Sequence, residues 1–164
     1  MRYLILSTLL ILFSCSPFLN RDRSADFSLV DHKLLFNKKD SLLFIKVSDR
    51  VRSFSDSCRV NKLNCFYDNE TSPAAYPAGI NMFRTHFLNH LDLKKFTKAS
   101  DSRIKIIIGN KDNIRNVEIS GLRSENAQYE ILRVLKLPLL NRWHTANTVL
   151  GKSESELVFR LQVK

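Results

Sequence analysis

The C-terminal part of the chain alternates apolar and polar residues in three short segments, and this alternation constrains the fold more than any other feature. Arg103–Gly109 and Asn116–Gly121 each place isoleucine or valine at every second position. The third segment is Glu156–Lys164, and its apolar positions are Leu157, Phe159, Leu161 and Val163. A period of two predicts half-buried strands, so we expect an antiparallel sheet with one wet face.

A helix is predicted between the second and third of these segments. Ser124 is suited to an N-cap, and Pro138 ends the helical pattern because the residue before a proline avoids the helical region. The apolar stripe consists of Ala127, Ile131, Val134 and Leu135. The polar turn 110–113 joins the first two strands as a hairpin. One helix on the apolar face of a three-stranded antiparallel sheet gives a two-layer α+β fold.

Several short motifs around these elements occur in the order typical of one known family. Tyr76-Pro77-Ala78-Gly79 precedes a predicted helix, and Glu130–Lys136 reads Glu-Ile-Leu-Arg-Val-Leu-Lys. Trp143-His144-Thr145-Ala146 and Gly151-Lys152 then precede the last strand. The segment Tyr76–Lys164 therefore resembles the TonB C-terminal domain of cell-envelope proteins. The family has an Asp-Gly turn where this chain has Asp112-Asn113, and a proline where it has Thr145.

The resemblance implies a β-β-α-β module preceded by a helix. It also implies structural roles for the residues that match the family motifs, which are Tyr76, Pro77, Gly79, Asp112, Trp143, Ala146 and Gly151. In the TonB family the last strand pairs with a short segment of outer-membrane receptors. The resemblance thus implies an outer-membrane receptor or another envelope protein as the partner.

The N-terminus has the pattern of an export signal. Met1-Arg2 is a short basic region, and Tyr3–Phe13 is an apolar run too short for a comfortable membrane span. Leu12-Phe13-Ser14-Cys15 resembles a bacterial lipobox, in which Cys15 becomes acylated. This predicts a lipid-anchored envelope protein facing the periplasm. A plainly cleaved secretory signal and an uncleaved anchor remain as alternatives.

An uncleaved anchor would fit a true TonB-type energy transducer. Such proteins keep an inner-membrane helix, commonly with an intramembrane histidine, and a long proline-rich spacer. Here the apolar run has no histidine, and the whole chain has four prolines. The sequence therefore favours a lipid-tethered relative over a force transducer.

The chain divides into a signal region (1–15), a tether with a β-rich extension (16–75) and the TonB-like domain (76–164). Asn20–Asp31 has alternating charges and is interpreted as the tether. Lys33–Phe36 and Ser41–Val47 are apolar runs around a polar turn, which predicts a β-hairpin. Asp49–Phe54 fits either strand or helix. Residues 61–75 are rich in Asn, Ser and Pro and predict a loop.

Two cysteines remain when Cys15 is set aside. Export would expose Cys58 and Cys65 to oxidising conditions, where they could form a disulfide across a short loop. The alternative is two unrelated buried thiols. Two cysteines without nearby histidines are a poor zinc site.

The net charge of +10 raises the question of an acidic partner. An export signal argues against nucleic acid, and no nucleic-acid recognition motif interleaves the charges with aromatic residues. The simplest explanation of the positive charge is a solvated basic surface near anionic lipid headgroups. A structural protein that binds anionic lipid or wall polymer is therefore an alternative function.

Three histidines are candidates for catalytic or metal-binding roles. His86 and His90 lie four apart on one helix face, but no glutamate follows His86 as in a zinc protease, and no third ligand is predictable. They are interpreted as solvated residues. His144 lacks a nucleophile motif nearby. We expect no catalytic residue, no metal and no cofactor.

The last strand is the predicted binding element. If Glu156–Val163 lies at a sheet edge, its backbone can pair with an extended peptide, or with a second copy of the chain as a homodimer. The alternative is an edge guarded by Arg160 and Lys164 with no partner. The sequence thus predicts a non-catalytic lipoprotein that binds an envelope partner by edge-strand pairing and serves outer-membrane transport.

Overall fold

The computed structural model describes residues 23–65 and 71–164, which form an α+β fold. The elements in chain order are β1 (Ala25–Leu35), α1 (Lys38–Val60), α2 (Gly79–His90), β2 (Ser100–Ile108), β3 (Ile114–Ser120), α3 (Glu125–Leu135), β4 (Ala146–Thr148) and β5 (Gly151–Val163). A short 3-10 helix covers Leu93–Lys95. The predicted hairpin of β2 and β3, the helix α3 and the last strand β5 are all present.

The sheet is antiparallel and has five strands rather than the three that were predicted. Its order is β1-β5-β2-β3, and the short β4 pairs with the beginning of β5. Helices α2 and α3 cover one face together with apolar residues of the connecting segments, such as Tyr76, Leu140 and Trp143. The buried core includes Phe27, Phe83, Phe87, Ile104, Ile106, Ile131, Val134, Trp143, Phe159 and Leu161.

The prediction that the last strand lies at an edge is wrong. β5 pairs with β1 on one side, from Ala25 opposite Val163 to Leu35 opposite Glu154. It pairs with β2 on its other side. The predicted edge residues Glu156, Leu157, Val158, Phe159, Arg160, Leu161, Gln162 and Val163 therefore all lie in an interior strand. Their backbone is occupied by neighbouring strands on both sides.

β1 corrects the prediction of a tether that reached Asp31. Phe27 is fully buried, and its ring stacks on Phe87 at 4.1 Å and on Phe159 at 4.6 Å between ring centroids. β1 is difficult to recognise in the sequence because a bulge between Leu29 and Asp31 interrupts the alternation of apolar and polar residues. The extension and the C-terminal segment consequently share one sheet.

α1 corrects the prediction of a hairpin at Lys33–Val47. Asn37 is the N-cap of this helix, since its side chain accepts a hydrogen bond from the Asp40 N–H at 2.9 Å. The apolar run that resembled a second strand forms the first turns of a 23-residue helix. The ambiguous segment Asp49–Phe54 is also helical.

α1 makes no extensive packing contact with another described helix or strand. Cys58 near its end and Cys65 lie at disulfide distance, with an S–S separation of 2.13 Å, so the structure contains the predicted pair.

Among residues 23–65 and 71–164, none of the helices combines the length and the apolar character that crossing a bilayer requires.

Helix α3 is attached to the end of α2 by a buried acid. Glu130 on α3 accepts a hydrogen bond from the Asp92 N–H at 2.8 Å and binds Arg133 through both carboxylate oxygens. Arg133 also donates to the His90 carbonyl at 2.8 Å. The Arg133 guanidinium, helped by the Asp92 N–H, lowers the pKa of Glu130. These contacts fix the two helices that cover the sheet.

The wet face of the sheet carries a row of ion pairs. Lys33 on β1 contacts Glu156 on β5 at 2.8 Å, and Glu156 lies 3.8 Å from Lys105 on β2. Lys105 in turn binds Glu118 on β3. Opposite charges therefore alternate across all four long strands, which supports the observed strand order.

Candidate functional site

β3 is the edge strand next to β2, and no strand of the described residues pairs with its outer side. Its register with β2 shifts near the hairpin, where Ile108 pairs with Ile114 and Ile107 pairs with Asn116. Arg115 is therefore a bulged residue without an opposite partner. Arg115, Asn116, Glu118 and Ser120 are exposed. This edge can accept a further strand.

A groove of about 250 Å³ runs between β3 and α3 beside this edge. Its apolar lining comes from Ile114 and Val117 on β3 and from Leu132 and Leu135 on α3. Leu135 is buried, whereas Ile114, Val117 and Leu132 are half-buried. The groove is smaller than a typical drug-sized pocket, and its size suits one large side chain of a peptide.

The polar residues around the groove are mainly basic or amide residues, namely Arg115, Asn116, Lys136 and Asn141. Asn141 accepts a hydrogen bond from the Ile114 N–H at 2.7 Å and so fixes the start of β3. Arg115 forms an ion pair with Glu154 at 3.0 Å, and Lys136 is exposed. A peptide in this groove would meet a positive rim over an apolar floor.

The opposite edge of the sheet is already capped. Arg84 on α2 donates its Nε–H to the Phe27 carbonyl of β1 and lies 3.6 Å from Asp26. The bulge after Leu29 further interrupts the regular edge of β1. Bulges and covering side chains are common means of protecting an edge strand. β3 also has a bulge and a bond from its first residue to Asn141, but an apolar groove lies beside it, so β3 is the better candidate for strand addition.

Asp112 joins three segments next to the groove. It lies in the turn between β2 and β3 with a φ of 58°, a left-handed conformation that aspartate tolerates in turns. Oδ1 accepts the Thr145 N–H at 2.9 Å, and Oδ2 contacts Lys152 at 3.0 Å. Its carbonyl accepts the Trp143 N–H at 2.9 Å. The bonds from Thr145 and Lys152 hold the pKa of Asp112 far below its usual range.

Tyr76 and Trp143 lie together in the core. Their rings meet edge to face at 5.6 Å, and both contact Phe83. The Tyr76 hydroxyl donates to the Leu139 carbonyl at 2.9 Å, so its oxygen accepts a hydrogen bond from His86 Nδ1–H at 3.0 Å. Burial raises the pKa of Tyr76. These two motif residues serve the packing of α2 against the connector before β4.

The remaining motif residues shape the turns. The Gly79 N–H donates to the Tyr76 carbonyl at 2.8 Å, and Gly79 has a φ of +81°, which glycine adopts without strain. Gly151 has a φ of +92° at the turn from β4 to β5. Ala146 is fully buried in β4, and Pro77 is exposed in the turn before α2.

The histidines differ in their surroundings. His86 is half-buried and bonded to Tyr76, so the prediction that it is solvated is wrong. His90 is exposed and donates Nδ1–H to the His86 carbonyl at 2.8 Å. His144 is exposed beside Trp143. Within the described ranges, no three His, Cys, Asp or Glu residues are placed to hold a metal ion. Cys15 and the lipobox lie outside the described residues.

The β3 edge and its groove were missed by the sequence analysis. The apolar residues of β3 were recognised, but nothing in the segment indicates which side of the strand stays open. That property depends on β5, which pairs with β2 and leaves the outer side of β3 open. Comparisons with protein-family models, with curated proteins and with solved structures find no match to this chain.

Proposed function

We propose that this chain is a non-catalytic envelope lipoprotein that binds an extended segment of a partner protein by strand addition at β3. The observation that carries the proposal is an open edge strand beside an apolar groove with a basic rim. In this mode of recognition, main-chain hydrogen bonds supply affinity and a side-chain pocket supplies specificity.

The energetics indicate why the groove matters. Four or five net hydrogen bonds along β3 would contribute about 2–7 kcal/mol in total. A micromolar complex requires about 8 kcal/mol. Burial of one large apolar side chain against Val117 and Leu132 contributes about 1.5–3 kcal/mol more. The partner segment should therefore have an apolar residue facing the groove and acidic residues near Arg115 and Lys136.

The cellular setting of the proposal comes from the sequence. Leu12–Cys15 resembles a lipobox, which supports an envelope location, and the element order α2, β2, β3, α3, β5 is compatible with a TonB C-terminal-like domain. We therefore propose an outer-membrane receptor or another envelope protein as the partner, with a role in outer-membrane transport. Intact-mass analysis tests the anchor, because acylation at Cys15 excludes an uncleaved transducer helix.

Position-specific photocrosslinking in intact cells tests the β3 site. A photoreactive residue at Asn116 or Glu118 should give the same adduct with one envelope protein, and the crosslinked peptide should contain an apolar residue. The same residue placed at Lys33 on the capped β1 edge should give no such adduct. Equal labelling from both edges would refute the site, and a dimer of the chain itself would identify β3 as a self-pairing edge.

A variant that fills the groove provides a second test. Leu132→Trp adds volume to a half-buried groove residue and should reduce adduct formation at least tenfold. Tyr129→Trp on the exposed face of the same helix is the matched control, because Tyr129 is 72% exposed and does not line the groove. Unchanged crosslinking in a folded Leu132→Trp protein would mean that the groove takes no part in binding.

A further inference from the structure

The first turns of α1 carry an apolar patch that the proposed β3 site does not use. Leu42, Leu43 and Ile45 are 56%, 45% and 53% exposed. Three large aliphatic side chains exposed within four residues differ from the scattered apolar residues of an ordinary surface. We name them, together with Lys38, Lys39 and Lys46, the α1 patch.

The lysines of the α1 patch lie beside its apolar residues. Helix neighbours are three or four residues apart, so Lys39 and Lys46 both flank Leu42 and Leu43, and Lys38 neighbours Leu42. All three lysines are exposed. Their long aliphatic stems can lie along apolar groups while the ammonium groups reach outward.

Acidic residues offset this charge only in part. Asp40 is engaged at the helix start, where its carboxylate accepts a hydrogen bond from Asn37 Nδ2 at 2.6 Å. Asp49 neighbours Ile45 and Lys46 and offsets one of the three positive charges of the patch. The whole helix has six basic and three acidic residues, a net charge of +3. The α1 patch therefore combines apolar side chains with positive charge.

We propose that the α1 patch docks on the surface of an anionic lipid bilayer. Helices that lie in the membrane interface place apolar residues at the acyl boundary and Lys or Arg among anionic headgroups. A second copy of the chain would bring the same positive charge to the contact, which disfavours self-association through this patch. The charge of the patch thus favours an anionic surface as its occupant.

The proposed lipid anchor would hold α1 within reach of the bilayer surface, and this step rests on the proposed function. Nine residues, Ser16–Ser24, connect Cys15 to the start of β1. Nine residues span at most about 30 Å when fully extended. β1 is about 36 Å long and α1 about 34 Å, so a domain lying along the bilayer can bring α1 to the same surface as the anchor. A basic surface near anionic lipid is the alternative function that the sequence suggests. We place that surface on α1.

Deuterium exchange of the full chain in vesicles tests the proposal. Vesicles of phosphatidylcholine alone are compared with vesicles containing about one-third phosphatidylglycerol, and sedimentation is measured on the same samples. The amides of α1 should exchange at least tenfold more slowly in the anionic vesicles, and moderate salt should reverse the effect because it screens exposed charges.

The triple variant Lys38→Gln, Lys39→Gln, Lys46→Gln should lose this protection. Each lysine near an anionic surface contributes about fivefold to binding, so three contribute on the order of 100-fold. The matched control is Lys94→Gln, Lys95→Gln, Lys98→Gln, which removes the same charge from the exposed region after α2 and should retain the protection.

The two proposals fail in different ways. If the protein sediments with both kinds of vesicle but the amides of α1 stay unprotected, the result would support the anchor and overturn docking of the α1 patch. Sedimentation and protection in anionic vesicles alone would support the patch and count against the anchor. Equal protection in both vesicles would overturn the electrostatic contact. Protection in detergent that grows with protein concentration would also overturn it, and would identify a second copy as the occupant.

Discussion

Asp112 and Thr145 hold each other by reciprocal hydrogen bonds. The Asp112 N–H donates to Thr145 Oγ1 at 3.2 Å, and the Thr145 N–H donates to Asp112 Oδ1 at 2.9 Å. The bonds join the β2–β3 turn to the connector before β4, and so help to set the position of the candidate binding edge. In this chain the aspartate and the threonine therefore act as a pair.

We expect Thr145→Val to destabilise the protein by about 1–3 kcal/mol. Thr145 is buried, and its hydroxyl both accepts from Asp112 and donates to the Gly109 carbonyl at 2.7 Å. Valine has a similar shape but leaves these groups without partners. Urea denaturation measures the change. Thr145→Ser keeps the hydroxyl and should lose much less, whereas an equal loss in both variants would show that the methyl group contributes as much stability as the hydroxyl.

Acid should weaken the same pair. The pKa of Asp112 is lowered in the folded protein, so its stabilising effect is present above the unfolded value near 4 and is lost as pH falls. Asp112→Asn should therefore be less stable than the original chain at pH 7, with a difference that narrows below about pH 4. Thermal unfolding at several pH values measures this. A constant difference down to the lowest pH would contradict the assignment.

The periodic spacing of apolar residues, two in the strands and three or four in the helix, was sufficient to predict β2, β3, α3 and β5. Each of these elements has regularly spaced apolar residues, a recognisable helix cap or a turn. Each also packs its apolar side against the other elements of the core. Ser124 is the N-cap of α3, as its sequence position indicated, with the Ala127 N–H as donor. Local pattern was reliable where local and tertiary preferences agreed.

β1, α1 and the candidate site required information that local sequence does not contain. The bulge at Val30 breaks the alternation of β1, and Phe27 alone among its residues is buried. Asn37 has the chemistry of either a turn or a cap, and only the structure distinguishes them. The open edge at β3 follows from strand order, because β5 pairs with β2 rather than with β3.

Mild acid should destabilise the pairing of β1 with the sheet, because His32 becomes protonated. This residue lies opposite Leu157 of the core, and its Nε2 is buried without a hydrogen-bond partner. Burial lowers the pKa of His32, and the nearby Asp31 opposes this shift only in part. The unfolded chain therefore binds a proton more readily, and stability falls as pH decreases through about 6.5.

The His32→Leu variant tests this origin of the pH dependence. Between pH 7.5 and 5.5 the urea midpoint of the original chain should fall more than that of the variant. Deuterium exchange should show that β1 is the strand most affected at low pH. If both proteins lose the same stability over this range, other groups are responsible and His32 is not the sensor.

Phe27→Ala should destabilise the fold by about 3–5 kcal/mol, since a fully buried phenylalanine leaves a large cavity. The lost contacts include the rings of Phe87 and Phe159. Val30→Ala is the control within the same strand, because Val30 lies in the bulge and is 55% exposed. It should change stability by less than about 0.5 kcal/mol. Similar losses in the two variants would mean that β1 is held by its backbone rather than by Phe27.

The segment Tyr76–Lys164, which resembles the TonB domain, should not form a stable monomer when expressed alone. Without β1, one side of β5 would present unpaired backbone groups along its length, and Phe159 would lose its stacked partner. An exposed edge of this length promotes aggregation. We expect the fragment to be aggregated or partly unfolded by light scattering and circular dichroism. A soluble, cooperatively folding fragment would instead show that β1 is an accessory strand and that the domain begins at Tyr76.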